Sequence, residues 1–356
     1  MTIALQHAGE FTAELANELL SDALGEEIVA CSVAPLGEGV GLMSAIARAQ
    51  LTLASGKRTS VVVKVIAQTE NVGISKQLNF YANEINFYRF LADQCPIKSP
   101  RCLFADIDSD TQDFLLVLED LGAAAAGDQL KGCDESLMLK SFENAGRLHG
   151  RFWGETEQFP WLIPQSVPEI NQFRQDAIYR PGVAPTIENF SEYFTGNLAE
   201  VVTRIGEQFT SLFERAMSGP ETVIHGDYRI DNMLLPEVDG EVEIVGVDWQ
   251  NTTRGCGPHD IAYFSGQSCG MEMRGDIEMA ALRRYYDVLK DEGVKDFSFD
   301  ECVDYYRLNL MITMITPIAI CGTLDPGNER GVELGRIILE RSLSALSSMQ
   351  CADLLH

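Results

Sequence analysis

The most constraining part of the sequence is residues 223–250, VIHGDYRIDNMLLPEVDGEVEIVGVDWQ. It contains, in order, an apolar run, a polar loop, a second apolar run, a turn and an apolar strand: Val223–Ile224, 225–232, Met233–Leu235, Pro236–Gly240 and Val242–Val247. Short apolar runs separated by Pro and Gly are typical of strands joined by turns. This pattern predicts that Asp227, Asn232 and Asp248 lie close together.

These three side chains suit phosphoryl transfer, which depends on positioning and charge neutralisation more than on covalent chemistry. One carboxylate, Asp227, can accept the proton of an attacking hydroxyl. The amide oxygen of Asn232 and the carboxylate of Asp248 can hold Mg²⁺, a hard cation that prefers oxygen ligands. The order of these residues matches the protein-kinase pattern, in which an Asn follows the catalytic Asp by five positions and a strand-end Asp binds metal.

The segments HGDYRIDN and VDWQ together resemble the aminoglycoside phosphotransferase family, which uses the protein-kinase fold on small molecules. With HDIAYF and LHGRFWG, the chain is most similar to the branch that includes ecdysteroid-kinase-like and choline-kinase-like proteins. By motif the resemblance covers roughly residues 36–266. It implies that Asp260 supports the catalytic loop. Asp248 is followed by Trp249 and Gln250, so a DFG-type switch is not implied.

A Gly-rich loop, LGEGVGLMS, spans residues 36–44. Gly37, Gly39 and Gly41 would let the backbone approach a nucleotide phosphate. A dinucleotide-binding turn would need a following helix, but the alternation from Ala45 to Leu53 favours a strand. The start of a kinase small lobe is therefore expected, with an ordinary hairpin as the alternative.

Lys64 lies in the apolar strand Ser60–Ile66, where desolvation of its ammonium group is costly without a partner. In the kinase pattern it would hold the nucleotide phosphates. A helix over Lys76–Asp93 places Glu84 on an otherwise apolar face, and this Glu is the expected ion-pair partner. The alternatives are a Lys that extends to a sheet edge and a Glu that faces solvent.

Two strands, Arg101–Ile107 and Asp113–Glu119, lead into the expected hinge between lobes. Backbone groups between Leu118 and Leu121 would bind the adenine, which places Glu119 and Leu121 in the nucleotide site. Glu119 and Asp120 are equally well read as solvated hinge charges. The chain would then cross into the second lobe over residues 123–134.

Two further side chains near the catalytic loop carry expectations. Arg229 is two positions after Asp227, where protein kinases carry a Lys, and would steady the γ-phosphate; the alternative is a pair with Asp231. His149 is expected to tie its helix, residues 136–154, to the catalytic loop. The segment Phe159–Gly219 has no readable motif. Its aromatic and acidic residues would supply part of the acceptor site or serve as helical core and surface.

Composition narrows the partners. The net charge of −26 argues against nucleic acid and anionic membranes, because both demand Lys and Arg. It fits either cationic substrates or solubility. Nine dispersed cysteines indicate reduced thiols. No signal peptide or spanning segment is evident, so a cytoplasmic location is expected.

The prediction is an α+β, two-lobed protein-kinase-like fold. Residues 1–122 would form a nucleotide-binding lobe around an antiparallel sheet, and residues 123–356 a mainly helical lobe with the catalytic loop and acceptor site. The expected activity is Mg²⁺-dependent transfer of the γ-phosphate of ATP or GTP to a hydroxyl of a small molecule. The competing reading is a catalytically silent nucleotide-binding or regulatory protein. The sequence leaves open the acceptor, the choice of nucleotide and the oligomeric state.

Overall fold

The structure, a computed structural model, describes residue 3 and residues 5–36, 44–67, 72–122, 124–323 and 327–355. The chain forms two compact units, which we call the sheet unit (Met1–Ala124 with Pro236–Asn251) and the helical unit (Ala125–Leu235 with Thr252–His356). The functional boundary at residue 122 stays a prediction. The structure adds that Pro236–Asn251 pack with the sheet unit.

The sheet unit is built on five strands: β1 (Ile28–Pro35), β2 (Ser44–Leu53), β3 (Arg58–Ile66), β4 (Cys102–Ile107) and β5 (Phe114–Glu119). Their order is β1-β2-β3-β5-β4, and every neighbouring pair is antiparallel. The antiparallel sheet is therefore as predicted, including the strand that follows the Gly-rich segment.

The two faces of β3 have different roles because side chains alternate along a strand. One face buries three valines in the core: Val61, Val63 and Val65. The helix α1 (Ala13–Leu24) covers this core with Ala16 and Leu20. Lys64 lies on the opposite face, in register with Leu116 of β5.

The predicted continuous helix over Lys76–Asp93 is wrong. The segment instead contains α2 (Val72–Gln77), α3 (Phe80–Asn86), a π-helical turn (Phe87–Leu91) and a 3-10 turn (Ala92–Gln94). Asn79 has φ 57°, in the left-handed region, which ends the first helix before α3 begins. Glu84 lies in α3 and is buried.

The predicted strand Val242–Val247 is also wrong, because it is broken. A two-residue hairpin pairs Glu237–Val238 with Glu241–Val242, and a separate short strand spans Val245–Gly246. Asp239 and Gly240 form the hairpin turn with φ 53° and 81°, as an Asp-Gly pair favours. The Gly246 amide donates to Lys98 O at 2.8 Å, which anchors the segment just before Asp248.

The helical unit contains ten α-helices in its described residues. They are α4 (Glu135–Arg151), α5 (Pro168–Phe173), α6 (Arg180–Asn189), α7 (Leu198–Glu207), α8 (Phe209–Ala216), α9 (Pro258–Ser268), α10 (Met271–Asp291), α11 (Phe299–Thr313), α12 (Ile315–Gly322) and α13 (Glu329–Ser348). A π-helical turn, Arg174–Tyr179, links α5 to α6.

Short strands frame the predicted catalytic loop, residues 225–232, inside this unit. There are four of them among the described residues: β6 (Ala125–Ala126), β7 (Glu221–Ile224), β8 (Met233–Leu235) and a further strand, Thr253–Cys256. Strand β7 pairs with Thr253–Cys256, and β8 pairs with β6. The loop 225–232 therefore runs between two anchored strands.

The mainly helical character predicted for the C-terminal lobe is found in α10 to α13. Residues 299–321 form two helices, α11 and α12, because the chain turns at Met314. Pro317 lacks an amide hydrogen and is tolerated here since it lies in the first turn of α12. Among the described residues, no helix combines the length and the apolar character needed to cross a bilayer.

Candidate active site

Lys64 is the centre of a charged cluster in the sheet unit. Its Nζ lies 2.8 Å from Glu84 Oε1, 2.7 Å from Glu84 Oε2 and 2.8 Å from Asp248 Oδ1. The side chains of Lys64 and Glu84 are 7% and 3% exposed, whereas that of Asp248 is 28% exposed. The expected Lys64–Glu84 ion pair is present, and neither the sheet-edge Lys nor the solvent-facing Glu is found. The direct contact with Asp248 was not foreseen.

The ammonium and carboxylate charges of this cluster stabilise one another. Burial alone would lower the pKa of Lys64, but the carboxylates of Asp248 and Glu84 outweigh it, so the pKa is raised and the amine stays charged. Burial raises the pKa of Glu84, and Lys64 opposes the rise. Two carboxylates and one ammonium leave a formal surplus of one negative charge. A bound cation would neutralise it.

Asp248 is held in an unusual backbone conformation. Its φ is 61°, in the left-handed region that few side chains adopt and that often marks functional positions. Trp249 fixes the neighbouring peptide, because its ring stacks on Phe87 with centroids 3.9 Å apart and its Nε1 donates to Gly246 O. Gln250 Nε2 donates to Asp248 Oδ2 at 3.3 Å. The chain thus fixes the direction of this carboxylate.

The catalytic loop is anchored in the helical unit by Asp260, as predicted. Asp260 Oδ2 accepts from His225 N at 2.7 Å, and Oδ1 accepts from Gly226 N at 2.9 Å. His149 Nε2 lies 3.1 Å from Asp260 Oδ2, and its Nδ1 lies 2.9 Å from Tyr285 Oη. Burial would raise the pKa of Asp260, but the hydrogen bond to His149 and the electrostatic effect of the nearby imidazoles outweigh burial and lower this pKa. His149 therefore ties α4 to the loop.

Asp227 and Asn232 are brought together by this loop. Asn232 Nδ2 donates to Asp227 O at 2.8 Å and to Asp227 Oδ2 at 3.0 Å. The amide nitrogen of Asn232 is thereby turned toward Asp227, which directs its oxygen to the other side. The Asp227 backbone amide donates to His225 Nδ1 at 3.3 Å, so His225 orders the loop.

Arg229 contacts three side chains, and the sequence suggested only one of them, Asp231. Its Nε lies 3.2 Å from Asp227 Oδ1, and its Nη1 lies 4.0 Å from Asp231 Oδ2. The predicted alternative, a pair with Asp231, is therefore present as the longer contact. Arg229 Nη1 also donates to Gln129 Oε1 at 2.9 Å, and the backbone amide of Gln129 donates to Asp231 Oδ1 at 2.6 Å. Gln129 was missed because its segment reads only as a crossover.

Tyr263 is a second residue that sequence reasoning did not assign. Its hydroxyl accepts from Thr316 Oγ1 at 3.4 Å and lies close enough to Asp227 for that carboxylate to affect its pKa. Burial, reinforced by the Asp227 charge, raises the pKa of Tyr263, so the phenol stays protonated. Because residues three apart share a helix face, the position of Tyr263 after Asp260 was an available signal.

We expect Tyr263→Phe to lower kcat/KM about tenfold, because a hydroxyl beside the Asp227 carboxylate can donate to it during the reaction, and a hydrogen bond to a charged group contributes roughly 1.5–3 kcal/mol. The matched control is Tyr286→Phe, which removes a hydroxyl that donates to Phe297 O elsewhere in the same unit. Steady-state kinetics of the two variants provide the measurement. Equal activities in both would show that the Tyr263 hydroxyl does not act on Asp227.

The other residues predicted for the nucleotide site lie in the Gly-rich segment and in the hinge. Gly37, Gly39 and Gly41 lie outside the described residues. Glu119 Oε1 accepts from Arg101 N at 2.8 Å, and Leu121 O accepts from Ala124 N at 3.2 Å. Asp120 is not a solvated charge, because it forms a two-point ion pair with Arg48 at 2.6 and 3.1 Å. Adenine binding by this hinge stays a prediction.

The aromatic residues of the segment 159–219 divide between core and surface. Tyr179 and Phe190 are buried, so they belong to the helical core. Phe173 is 60% exposed and lines a shallow depression of about 640 Å³ with Glu169 and Asp176. Asp176 is already paired with Arg180 at 3.0 Å. The aromatic and acidic acceptor surface stays a prediction, and Phe173 is its most exposed aromatic residue.

The buried His259 beside Asp260 predicts acid sensitivity. Burial lowers the pKa of His259, which bonds to Asn309 Oδ1 at 3.0 Å. Its folded pKa is below its unfolded value of about 6.5, so stability should fall as the pH drops below that value, by up to roughly 1.4 kcal/mol per pH unit. Urea titrations from pH 7.5 to 5.5 measure this. His259→Gln should flatten the dependence, and replacing the exposed His7 should not; equal slopes would contradict it.

Comparisons with known proteins place this geometry in a family context. The model of the ecdysteroid kinase-like family matches residues 38–298. No curated protein sequence matches the chain.

Solved structures with the same fold include small-molecule kinases. The choline kinase of Cryptosporidium parvum Iowa II superposes with a TM-score of 0.54 at 11% identity, over 96% of this chain and 95% of that chain. APH(2")-IIIa, solved with GDP and kanamycin, gives a TM-score of 0.54 at 12% identity, over 87% of this chain and 92% of that chain. At such identities the likeness shows the fold alone, and it confirms the predicted protein-kinase-like fold.

Proposed function

The chain belongs to the ecdysteroid kinase-like family, and on that premise we propose that it is a small-molecule kinase. It would transfer the γ-phosphate of ATP or GTP to a hydroxyl of a small-molecule acceptor, with Mg²⁺. The observation that carries this proposal is the complete Lys64–Glu84–Asp248 cluster. A buried Lys between two carboxylates costs desolvation energy, and a chain without use for it gains nothing from keeping it.

The nucleotide would be held in the sheet unit. Lys64, oriented by Glu84, would bind its phosphates, and the backbone near Glu119 and Leu121 would hold the base. The Gly37, Gly39 and Gly41 segment would lie along the phosphates. The charged Lys64 supplies the electrostatic stabilisation that phosphoryl transfer requires.

The donor atoms of Asn232 and Asp248 fit Mg²⁺, because both offer hard oxygen ligands. Asp248 keeps part of its carboxylate exposed, and the Lys64 cluster has a surplus negative charge. Asn232 presents its amide oxygen because its nitrogen is bound to Asp227. When bound, Mg²⁺ would neutralise charge on the nucleotide phosphates.

The acceptor hydroxyl would be activated by Asp227. The carboxylate takes the hydroxyl proton as the acceptor oxygen attacks the γ-phosphorus, and the bond from that phosphorus to the bridging oxygen breaks. Asn232 holds the carboxylate in one orientation, Arg229 balances its charge, and the nearby Tyr263 hydroxyl would donate to it as the proton is transferred. Arg229 would move part of its contact to the γ-phosphate when nucleotide binds.

The test is acceptor-dependent release of ADP or GDP. Aminoglycosides, amino alcohols, sugars and sterols are offered with ATP or GTP and Mg²⁺, and Asp227→Ala serves as the blank. Turnover with one acceptor class that is lost in the blank supports the proposal and identifies the substrate. Nucleotide binding without turnover on any acceptor would favour a silent nucleotide-binding protein. Absence of nucleotide binding would contradict the proposal.

A further inference from the structure

Two of the cysteines in the helical unit face each other. The Sγ atoms of Cys133 and Cys269 are 3.5 Å apart, and both thiols are free. Cys133 is half-buried, whereas Cys269 is fully buried. Neither residue belongs to the phosphoryl-transfer machinery described above. The pair therefore calls for its own explanation.

The backbone around the pair is suited to a disulfide. Cys133 and Cys269 form a parallel β-bridge, and the Cys133 amide donates to Ser268 O at 2.9 Å. Bridged strands lie about 4.8 Å apart, inside the range of roughly 4.4–6.8 Å between Cα atoms that disulfides span. The sulfurs would need to approach by about 1.5 Å to reach the bonded distance of about 2.0 Å.

Both cysteines lie in segments whose neighbouring residues contact the catalytic loop. Ser268, the residue before Cys269, accepts the Ile230 amide with its Oγ at 3.0 Å. Cys133 ends the segment that begins near Gln129, whose side chain accepts from Arg229. Arg341 closes this network, since its Nη1 donates to Gln129 O at 2.6 Å and to Gln267 O at 3.0 Å. A shift of either cysteine is thus passed to the residues that flank Asp227.

Packing around Gly132 leaves little freedom for such a shift. A Cβ at Gly132 would lie 2.7 Å from Arg341 Nη2 and 2.8 Å from Ser268 O. The residue before Cys133 is therefore already in close contact with the anchors of the loop. Any backbone movement that accompanies closure of the disulfide is therefore passed to these anchors.

We propose that Cys133 and Cys269 form a reversible disulfide that lowers the activity of the catalytic loop. The oxidant is a small-molecule disulfide, such as oxidised glutathione. The regulatory part of this proposal rests on the proposed kinase function, whereas formation of the disulfide does not.

The reaction is a pair of thiol–disulfide exchanges. The half-buried Cys133 attacks first, because burial raises the pKa of the Cys269 thiol and makes it the poorer nucleophile. The sulfur–sulfur bond of the oxidant breaks and one small thiol leaves. Cys269 then attacks the Cys133 sulfur and a second small thiol leaves. The two cysteines lose two electrons and two protons, and the small disulfide becomes two thiols.

The experiment titrates the reduced full chain with mixtures of reduced and oxidised glutathione. Thiol counting should show that two of the nine thiols are lost, and peptide mass spectrometry should find Cys133 linked to Cys269. Hydrogen exchange at the Ile230 amide should accelerate. Turnover should fall at least tenfold, because small misplacements of catalytic groups are costly, and a dithiol reductant should restore it.

Three variants make the result decisive. Cys133→Ser should keep the activity of the reduced protein and lose the response to oxidant. Cys269→Ala is a second variant, used in case serine at position 133 disturbs the fold, and it should behave in the same way. Cys31→Ser, which removes another half-buried thiol, should respond like the wild type. Retention of nine thiols, or glutathione on Cys133 without the cross-link, would overturn the proposal.

The two claims fail in distinguishable ways. If the reduced protein turns over no acceptor, the proposed function fails, but thiol counts and Ile230 exchange still decide whether the disulfide forms and reaches the loop. If the cross-link forms and changes neither exchange nor turnover, the regulatory role is overturned and the kinase function stands.

Discussion

Replacing Asp227 with Asn is expected to lower kcat roughly 10³-fold, while nucleotide affinity stays within about threefold. General base catalysis contributes about 10²–10⁴-fold, and an amide cannot accept the proton of the acceptor hydroxyl. The Asn side chain has the size of Asp, and its oxygen can still accept from Asn232. In the wild type, Asn232 Nδ2 donates to Asp227 O at 2.8 Å and to Asp227 Oδ2 at 3.0 Å. Because Asp260 anchors the loop through His225 and Gly226, the fold should be retained.

The matched control is Asp231→Asn, which removes a charge from the same loop. Asp231 accepts the Gln129 amide with Oδ1, and an Asn oxygen can do the same. Its loss in kcat should therefore be much smaller than that of Asp227→Asn. Steady-state kinetics with a saturating acceptor, together with calorimetric nucleotide binding, measure both variants. Similar losses in the two would mean that loop charge, and not proton transfer, explains the effect.

Replacing Asp248 with Asn is expected to weaken Mg²⁺-dependent nucleotide binding roughly 100-fold, about 2.7 kcal/mol. Asp248 is the more exposed carboxylate of the Lys64 cluster, and its Oδ1 lies 2.8 Å from Lys64 Nζ. The variant removes a proposed charged metal ligand and one of the two counter-charges of Lys64. Glu84 still neutralises the buried Lys64 in this variant, so the free energy of unfolding should change little.

The control for this substitution is Asp239→Asn in the same segment. Asp239 is exposed and has φ 53°, close to the 61° of Asp248, and Asn tolerates this left-handed region. Removing its charge should leave nucleotide affinity unchanged. Calorimetric titrations with and without Mg²⁺ compare the variants. An Asp248→Asn protein with wild-type, Mg²⁺-dependent affinity would remove Asp248 from the proposed metal site.

Much of the candidate site could be predicted from the sequence because it lies on strongly patterned segments. Lys64 interrupts an apolar strand, and such a charge requires a partner. Glu84 was found because it is the acid on an apolar helical face, and this interpretation held although the helix is interrupted at Asn79. The loop motif gave the Asp227–Asn232 contact and the support by Asp260.

The rest depends on side-chain contacts between distant segments, which leave no periodic signal. Gln129 lies in a crossover and bonds to residues about a hundred positions away. The broken strand before Asp248 follows from the bond between Gly246 and Lys98 and the stacking of Trp249 on Phe87. The pairing of Cys133 with Cys269 spans 136 positions, and dispersed cysteines do not reveal it.

The most direct test of the central claim is to follow a labelled γ-phosphate from the nucleotide into the acceptor. The wild-type protein, Mg²⁺ and the acceptor identified by ADP or GDP release are mixed, and the products are separated. The account predicts that the label appears as a phosphate ester on an acceptor hydroxyl, and that Asp227→Asn slows its appearance roughly 10³-fold. Label that appears only as inorganic phosphate, or at the same rate in the variant, would contradict it.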